Sequence, residues 1–434
     1  MFTQPLLPSG RRVRFIHEFH GVYFRSGYDK LFLDRALYEP VSPVFEQDGI
    51  FFLSLEDLSR IYSPDLLVQA EGGQIRLRFQ KYLDTMERVQ IDRQWYLREV
   101  PAEEAVLTVG EPLAQAHGEW IELSTGPREI GGILYLPAIE VMTKVFGART
   151  VPAKNMTVLT FYEDLTFPLV LWRYYSSVVR GRTCGEIHRS FWFEEGRRVI
   201  PYHMYIPTGY QPDTPNKAVF YFHGGGGNES RFYDQSGQKA QLYAEDRGYI
   251  VAGTNGYILS SFYGSLVPII QTLDVLDPEK VAYENPEGWP EETLLLRRLA
   301  GLSMERQFEE IFGRWNLDKE NLFAAGNSAG SVACMQYVLT RPGLFNAICP
   351  TGGFVNYHFY DLNQFAANLA PRHTLFVCGT EDEHGFDYVM RGWAEMDRLG
   401  IPYQKLVVGG GDHPSGWSQV TDRIFDFFDS CLTK

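Results

Sequence analysis

Ser328 lies in the pentapeptide Gly-Asn-Ser-Ala-Gly, residues 326–330, which has the spacing Gly-x-Ser-x-Gly. Mostly apolar residues 321–325 precede it, and apolar residues at helical spacing, among them Val332 and Met335, follow it. This order predicts a strand, a tight turn and a helix, with glycines where backbone passes close to backbone. The N-terminus of the helix favours negative charge on the serine oxygen. The sequence therefore predicts that Ser328 is a nucleophile in acyl transfer.

A run of four glycines, residues 224–227, follows His223 directly after the apolar segment 218–222. Acyl transfer builds negative charge on a carbonyl oxygen, and fixed backbone N–H groups stabilise that charge. Glycine allows the backbone to approach a substrate because no Cβ intervenes. We therefore expect an oxyanion hole with donors from Gly225 and Gly226 and, after the nucleophile, from Ala329. A flexible loop is the alternative interpretation of the glycine run by itself.

A serine nucleophile requires a base and a carboxylate that orients the base. An apolar strand pattern at residues 374–378 ends before four acidic candidates: Glu381, Asp382, Glu383 and Asp387. His413 follows three glycines after the last strand pattern, residues 403–408, and precedes a terminal helix pattern, residues 417–428. His413 is therefore the candidate base, and the acidic loop supplies the carboxylate.

Residues 186–428 resemble the α/β-hydrolases, in the branch of esterases and polyhydroxybutyrate depolymerases that includes feruloyl esterases. The motif residues described above fall in the order of that family, nucleophile, acid and histidine, and its Gly-x-x-Asp pattern selects Asp382 as the acid. The resemblance implies an α/β fold with a doubly wound, mostly parallel sheet. It also implies a serine carboxylic-ester hydrolase that acts through an acyl-enzyme and needs no cofactor.

The chain departs from that family after Tyr263, where residues 273–298 form a longer segment than is usual. An insertion at this place would lie near the mouth of the active site. Trp289, Tyr257 and Tyr263 are therefore candidate substrate-binding residues that could stack on an aryl or carbohydrate-linked ester. The alternative is that these aromatic side chains pack in the core around a small pocket.

The first part of the chain contains a weak internal repeat, residues 48–58 and 131–141. In both copies a glycine turn leads into a short apolar strand and then a helix pattern, and an extended segment follows. Residues 41–161 resemble the copper amine oxidase N-terminal-like domain, a two-lobed α+β module that serves as a stalk. We accordingly expect an N-terminal α+β accessory domain at residues 1–175 and a catalytic domain at residues 176–434. We expect no metal site, because the histidines of the first part lack ligand spacing.

Composition excludes several classes of protein. The net charge is −14, and an acidic surface repels phosphate backbones, so we expect no nucleic acid partner. The five cysteines form no Cys-x-x-Cys pair, and no apolar run reaches the length of a membrane span, so we expect neither a metal or redox motif nor a transmembrane segment. The expected partner is a small-molecule or polysaccharide-linked ester.

Three functions share these residues at this stage. A serine peptidase or an acyltransferase would use the same three side chains as an esterase, and a non-catalytic binding protein could be built on the same fold. The N-terminal resemblance favours an extracellular or cell-envelope location, with attachment through that domain. A cytoplasmic location applies if no signal peptide has been removed.

Overall fold

The computed structural model describes residues 19–80, 82–83, 89–91, 94–96, 98–99, 101–162, 165, 169–258, 262–264, 291–353, 366–368, 373–383 and 385–433. Two compact units make up the chain. Unit 1 contains Met1–Arg182 and His188–Pro201, and unit 2 contains Thr183–Ile187 and Tyr202–Lys434. The boundary that we expected between residues 175 and 176 falls inside the helix Leu169–Val179, so the division lies a little later in the chain.

Unit 1 is built mainly of short antiparallel strands. Its first elements are β1 Val22–Arg25, β2 Leu31–Leu33, β3 Ala36–Tyr38, β4 Phe45–Gln47, β5 Ile50–Ser54, α1 Leu55–Ile61, β6 Leu66–Glu71 and β7 Gln74–Phe79. Two short ribbons follow, β8 Tyr82–Leu83 with β11 Arg98–Glu99, and β9 Val89–Ile91 with β10 Gln94–Tyr96. The second half contains β12 Glu103–Thr108, β13 Leu113–Ala116, β14 Glu119–Glu122, β15 Arg128–Ile130, β16 Ile133–Pro137, α2 Ala138–Glu140 with a π-helical turn Val141–Val145, β17 Arg149–Ala153, β18 Met156–Thr160 and α3 Leu169–Val179.

The repeat in the sequence is the centre of a larger structural duplication. Strands β1–β7 and β12–β18 follow the same order, each with its helix between the fifth and sixth strand. Two five-stranded arrangements result, β6-β7-β12-β13-β14 and β17-β18-β1-β2-β3, and each takes three strands from one copy and two from the other. The two copies also pair directly in a small sheet, β4-β5-β16-β15, where Leu53 lies opposite Leu136. Neither copy can complete its sheets alone.

The inner faces of these sheets form one hydrophobic core. Alternate residues of each strand point inward, as the two-residue period of a strand requires. In β7, for example, Ile75, Leu77 and Phe79 are buried while the residues between them are exposed. They pack in the same cluster as Leu58 of α1 and Met142 of the π-helical turn.

Equivalent carboxylates fix the two helices of the duplication. Asp57, the third residue of α1, is fully buried and accepts hydrogen bonds from the Tyr38 hydroxyl at 2.8 Å, the backbone N–H groups of Val41 and Ser42, and the hydroxyl of Ser54 at 2.5 Å. At the same place in α2, the carboxylate of Glu140 accepts from the backbone N–H and the hydroxyl of Ser124 at 2.8 and 2.6 Å. Each carboxylate ties its helix to the loop ahead of a β-hairpin.

Unit 2 has the α/β organisation that the sequence predicts. Strands β19 Gly185–Phe193 and β20 Arg198–Ile206 each contain residues of both units. The other elements are β21 Asn216–Phe222, α4 Arg231–Gln235, α5 Lys239–Arg247, β22 Ile250–Gly253, a 3₁₀ turn Phe262–Gly264, α6 Glu291–Arg314, β23 Leu317–Asn327, α7 Ala329–Thr340, β24 Ala347–Thr351, β25 His373–Gly379, α8 Phe386–Leu399, β26 Gln404–Val408, α9 Ser415–Ser418 and α10 Thr421–Ser430. The terminal helix expected at residues 417–428 is thus divided into two.

The sheet of unit 2 runs in the order β20-β22-β21-β23-β24-β25-β26. Strand β20 is antiparallel to β22, and the remaining neighbours are parallel. Helices α5 and α10 cover one face, where Phe323 stacks on Phe428 with centroids 5.0 Å apart. Helices α6 and α7 cover the other face, where Phe220 packs on Phe308. Because both faces are covered, the central strands are apolar throughout, as a parallel sheet requires. None of the described helices is long and apolar enough to cross a membrane.

We expect Asp57→Ala to lower the free energy of unfolding by about 2 to 4 kcal/mol, because four donors would lose their buried acceptor. Glu140→Ala is the matched comparison. Its carboxylate is 18% exposed, so water can replace it, and we expect a loss of about 1 kcal/mol. Urea unfolding of both variants measures the difference. Equal losses would show that burial of the Asp57 carboxylate does not determine its contribution.

Candidate active site

Ser328 occupies the turn between β23 and α7 with φ +56° and ψ −115°, a conformation that side chains other than glycine rarely adopt. Crowding explains the glycines on both sides. A Cβ on Gly330 would lie 1.9 Å from the carbonyl oxygen of Phe222, and a Cβ on Gly326 would lie 2.3 Å from that of Gly330. The Ser328 N–H donates to the carbonyl of Thr351 at 2.9 Å. The turn is therefore held against the neighbouring strands on both sides.

Parallel pairing brings several strand ends to the same edge of the sheet. Phe222 lies opposite Gly326, Asn327 lies opposite Thr351, and Gly379 lies opposite Val408. Ligands and reactive groups of open α/β sheets occur at the carboxyl ends of the strands. The glycine run, Ser328, the acidic loop and His413 all follow these ends, so the topology gathers segments that are up to 190 residues apart in the sequence.

His413 and Asp382 form a hydrogen-bonded pair on this edge. The Nδ1 atom of His413 lies 2.9 Å from both carboxylate oxygens of Asp382. The Asp382 side chain is 1% exposed and that of His413 is 20% exposed, so the acid is enclosed while the imidazole reaches the surface. Glu381, Glu383 and Asp387 are exposed. Among the four acidic candidates, the structure pairs Asp382 with the histidine.

Gly352, at φ +55°, is in the middle of this group. A Cβ on Gly352 would lie 3.1 Å from Asp382 Oδ2, 3.3 Å from His413 Cε1 and 3.1 Å from Asn327 Oδ1. The next residue, Gly353, lies against the backbone of Ser328, where an added Cβ would be 3.0 Å from its carbonyl oxygen. The sequence analysis did not single out this glycine pair. The signal that could have found it was its position directly after the buried strand β24, at the edge of the sheet that holds the candidate site.

The glycine run after β21 is held in place by its histidine. The Gly256 N–H donates to Nε2 of His223 at 3.1 Å, so the proton of the neutral ring is on Nδ1, which donates to the Gly224 carbonyl at 2.8 Å. Burial lowers the pKa of His223 to about 4, because a charged ring would lose its hydration, and the hydrogen bond to Gly224 offsets only part of this effect. Gly225 and Gly226 are exposed.

A buried polar network continues from this histidine. The hydroxyl of Tyr263 donates to the His223 carbonyl at 3.0 Å. The N–H of Asn255 donates to Gln307 Oε1 at 2.8 Å, and Gln307 Nε2 donates to the Asn255 carbonyl at 2.7 Å. Helix α6, which contains Gln307, thus fixes the segment that contacts His223. The sequence analysis missed this role of α6, since Gln307 is 84 positions from His223 in the sequence.

Of the three aromatic residues that we expected to contact substrate, two are in the interior. Tyr257 is 1% exposed and Tyr263 is 2% exposed, so neither ring presents a stacking surface. Tyr263 instead supports the glycine run through His223, which is closer to the core-packing alternative. Trp289, together with residues 273–290 of the longer segment, lies outside the described residues. The end of that segment is the beginning of α6.

The pair Asp412 and Ser415 shapes the loop around His413. The Asp412 carboxylate accepts from the Ser415 N–H at 2.7 Å, and the Ser415 hydroxyl accepts from the Asp412 N–H at 3.0 Å. Hydrogen bonds of the carboxylate with the side chain and then the backbone N–H of Ser415 lower the pKa of Asp412. The Asp412 carboxylate is thus hydrogen-bonded to Ser415 at the start of α9.

No protein-family model matches the chain, and a search of curated proteins finds no match. Solved structures do resemble it. A fluorophosphonate-binding serine hydrolase of Staphylococcus aureus is 15% identical, with a TM-score of 0.43, over 56% of this chain and 98% of that chain. An S-formylglutathione hydrolase from Agrobacterium tumefaciens is 14% identical, with a TM-score of 0.44, over 58% and 98%. A ferulic acid esterase from Anaeromyces mucronatus is 16% identical, with a TM-score of 0.42, over 65% and 96%. At these TM-scores and identities, the similarities are no evidence for function beyond what the residues of the chain itself provide.

We expect Gly352→Ala to reduce kcat for an aryl ester by at least tenfold while KM changes little. The added methyl group would press on Asp382, His413 and Asn327, and the positive φ disfavours any side chain. Gly409→Ala is the matched control on the loop that precedes His413, because a Cβ there meets nothing within 4 Å. Steady-state kinetics compares the two. Equal activity of the two variants would place Gly352 outside the reactive group.

We expect protonation of His223 to destabilise the protein in acid. The unfolded chain binds this proton near pH 6.5 and the folded chain only near pH 4, so the stability is fully present above about pH 6.5 and is lost as the pH falls towards 4. Between pH 7 and pH 5 this histidine alone should cost about 2 kcal/mol. Urea unfolding of wild type and His223→Gln at both pH values isolates the effect, since the variant should lose that much less. Parallel losses in both proteins would contradict it.

Proposed function

We propose that the chain is a serine carboxylic-ester hydrolase with Ser328 as nucleophile, His413 as general base and Asp382 as the orienting acid. The observation that carries the proposal is the enclosed hydrogen bond of 2.9 Å between Asp382 and His413 Nδ1, beside the strained turn that presents Ser328. A carboxylate on Nδ1 leaves Nε2 as the proton acceptor and stabilises the imidazolium that forms. A structural ion pair would not need the neighbouring serine in so strained a turn.

In the proposed reaction, His413 Nε2 takes the proton of the Ser328 hydroxyl as its oxygen attacks the ester carbonyl carbon. The carbonyl π electrons move to the oxygen, which becomes an oxyanion. The imidazolium then gives its proton to the departing alcohol, and an acyl-serine remains. Water attacks the acyl-serine in the same way, with His413 as base, and releases the carboxylic acid. Ester and water are consumed, and alcohol and acid are produced.

The N–H groups of Gly225, Gly226 and Ala329 are the proposed donors to the oxyanion. Ala329 is the first residue of α7, and the N–H groups of a first helical turn have no acceptor within their own helix. Gly225 and Gly226 are exposed in a run whose carbonyl at Gly224 is fixed by His223. Donors that are already oriented need no reorganisation when charge develops, which is the source of their effect on rate.

The proposed substrate is an uncharged ester with an aryl or carbohydrate-linked group. The net charge of −14 disfavours polyanionic substrates through long-range repulsion. The exposed glycines 225 and 226 place no side chain over the oxyanion site, so a bulky group can approach it. Trp289 stays our candidate for a stacking wall. A serine peptidase or an acyltransferase would use the same side chains and differs only in the group that leaves or accepts the acyl chain.

The duplicated module of unit 1 is our candidate for the accessory part of the protein. Its two interlocked copies and its own hydrophobic core accord with the resemblance to the copper amine oxidase N-terminal-like domain. We propose that it attaches or positions the enzyme and takes no part in the chemistry. A purely binding protein on a hydrolase fold is the alternative, and loss of activity on mutation of Ser328 separates the two.

We expect Ser328→Ala to abolish hydrolysis of a simple aryl ester and labelling by a fluorophosphonate probe, with an unchanged unfolding midpoint. Asp382→Asn should lower kcat by about 10⁴-fold, because His413 would lose both its orientation and its charge partner. Asp387→Asn is the matched control, an exposed acid in the first turn of α8, and should change kcat less than about twofold. Persistent labelling of Ser328→Ala, or a larger loss in Asp387→Asn than in Asp382→Asn, would contradict the assignment.

A further inference from the structure

The two five-stranded arrangements of unit 1 are equivalent by duplication, but their outer faces differ. In β17-β18-β1-β2-β3, one row of paired residues crosses the outer face. The row consists of Val151, Val158, Tyr23, Phe32 and Leu37. All five are apolar, and helix α3 covers them. The ring of Tyr175 from α3 stacks on Phe32 with centroids 4.1 Å apart. This face is closed by the chain itself.

The equivalent row in β6-β7-β12-β13-β14 consists mainly of polar side chains and one tryptophan. Strand pairing aligns Gln69, Arg76, Val106, Gln115 and Trp120 across the five strands. We name these five residues the open row. Each takes the place of one apolar residue of the covered row, with Trp120 in the place of Leu37. The Trp120 side chain is 68% exposed, whereas Leu37 is 4% exposed.

The surroundings of the open row are polar and nearly neutral. Arg78 and Glu104, two residues further along the strands on the same face, approach to 3.9 Å, and their side chains are 46% and 67% exposed. A depression of about 690 Å³ next to Gln115 is lined in part by Glu104 and Val106. A second depression, of about 310 Å³, is lined by Arg76 and its neighbours Gln69, Glu71, Gly72 and Gln74. The face therefore combines one large aromatic plane with amide and guanidinium groups in concave surroundings.

This chemistry narrows the class of ligand. An apolar helix such as α3 would bury the polar groups of Arg76 and Gln115 without hydrogen-bond partners, which costs free energy. A polyanion would meet a protein of net charge −14 and a face on which the carboxylates of Glu71 and Glu104 offset the charges of Arg76 and Arg78. A neutral sugar chain matches both the aromatic plane and the polar groups of this face, because its ring faces are apolar and its edges carry hydroxyl groups. Amide side chains can both donate to and accept from hydroxyls, and an indole offers a broad apolar plane.

We propose that the open row binds a neutral polysaccharide, with one sugar ring stacked on Trp120 and the following units hydrogen-bonded to Gln115, Arg76 and Gln69. Strands lie about 4.8 Å apart, so the row extends over roughly 19 Å, enough for several sugar units. A single exposed apolar residue is common on protein surfaces. Trp120 differs because the equivalent position, Leu37, is buried, and because three of the other four residues in its row, Gln69, Arg76 and Gln115, are polar where the covered row is apolar. The site does not depend on the proposed esterase activity.

Affinity electrophoresis of the full chain tests the proposal with three neutral probes: arabinoxylan, glucomannan and hydroxyethylcellulose. We expect at least one of them to retard the wild type. Trp120→Ala should weaken that affinity at least tenfold, and Arg76→Ala and Gln115→Ala at least threefold each. Leu242→Ala is the matched control, since Leu242 is 66% exposed on α5 of unit 2. It should bind as the wild type does.

Two accompanying measurements separate this site from the proposed active site and from misfolding. All four variants should keep the wild-type unfolding midpoint and the wild-type rate on a soluble aryl ester, while Ser328→Ala should still bind the polysaccharide. The proposal is overturned if no neutral probe retards the wild type, or if Trp120→Ala binds as well as Leu242→Ala does. It is also overturned if sedimentation shows that the wild type self-associates and Trp120→Ala does not, because the face would then bind a second copy of the chain.

Discussion

The contact between the first turn of α7 and the end of β21 is the constraint on which the candidate site depends. Gly330 lies so close to the carbonyl of Phe222 that no side chain fits, and Gly224 in turn lies against the Cβ of Ser328. One close approach of backbone therefore sets the position of Ser328 and of the glycine run together. The strained φ of Ser328 follows from it, because a relaxed turn would separate the helix from the strand.

Buried hydrogen bonds keep this arrangement rigid. His223 holds the Gly224 carbonyl from one side, and Asn255 with Gln307 holds the segment that donates to His223. On the other side, Asp382 holds His413 in a setting that excludes water from the carboxylate. Polar groups in such places must be fully satisfied, since an unpaired buried group costs as much as a hydrogen bond contributes or more. The same pairing that stabilises the fold fixes the positions of His413 and of the glycine run.

Unit 1 shows how one backbone arrangement supports two surfaces. The duplicated copies share strand order, helix position and the carboxylates Asp57 and Glu140, which fix the helices to the loops. Because each sheet uses strands of both copies, the inner faces must stay apolar in both. The outer faces do not need to be apolar in both arrangements. Helix α3 covers one outer face, and the other outer face exposes Arg76, Gln115 and Trp120 to solvent.

The sequence by itself determined the local elements that carry the candidate site. The apolar strand before Ser328, the glycines around it and the glycine run after β21 are local patterns, and local sterics and propensity decide them. His413 could be singled out because, of the ten histidines, it alone follows the nucleophile and the acid in the expected order on a glycine-rich loop before the final helix. The choice of Asp382 came from resemblance, since four acidic residues in one loop are equivalent in a linear sequence.

Only the tertiary structure decided which of those residues meet. Burial separates Asp382 from its exposed neighbours, and burial depends on strands that are distant in the chain. The same holds for Tyr257 and Tyr263, for which the sequence left substrate stacking and core packing open and which are enclosed in the structure. It also holds for Gly352, which lies against three side chains on other segments. The extent of the duplication was hidden as well, because strand exchange between copies is a matter of pairing, and pairing leaves little trace in short strands.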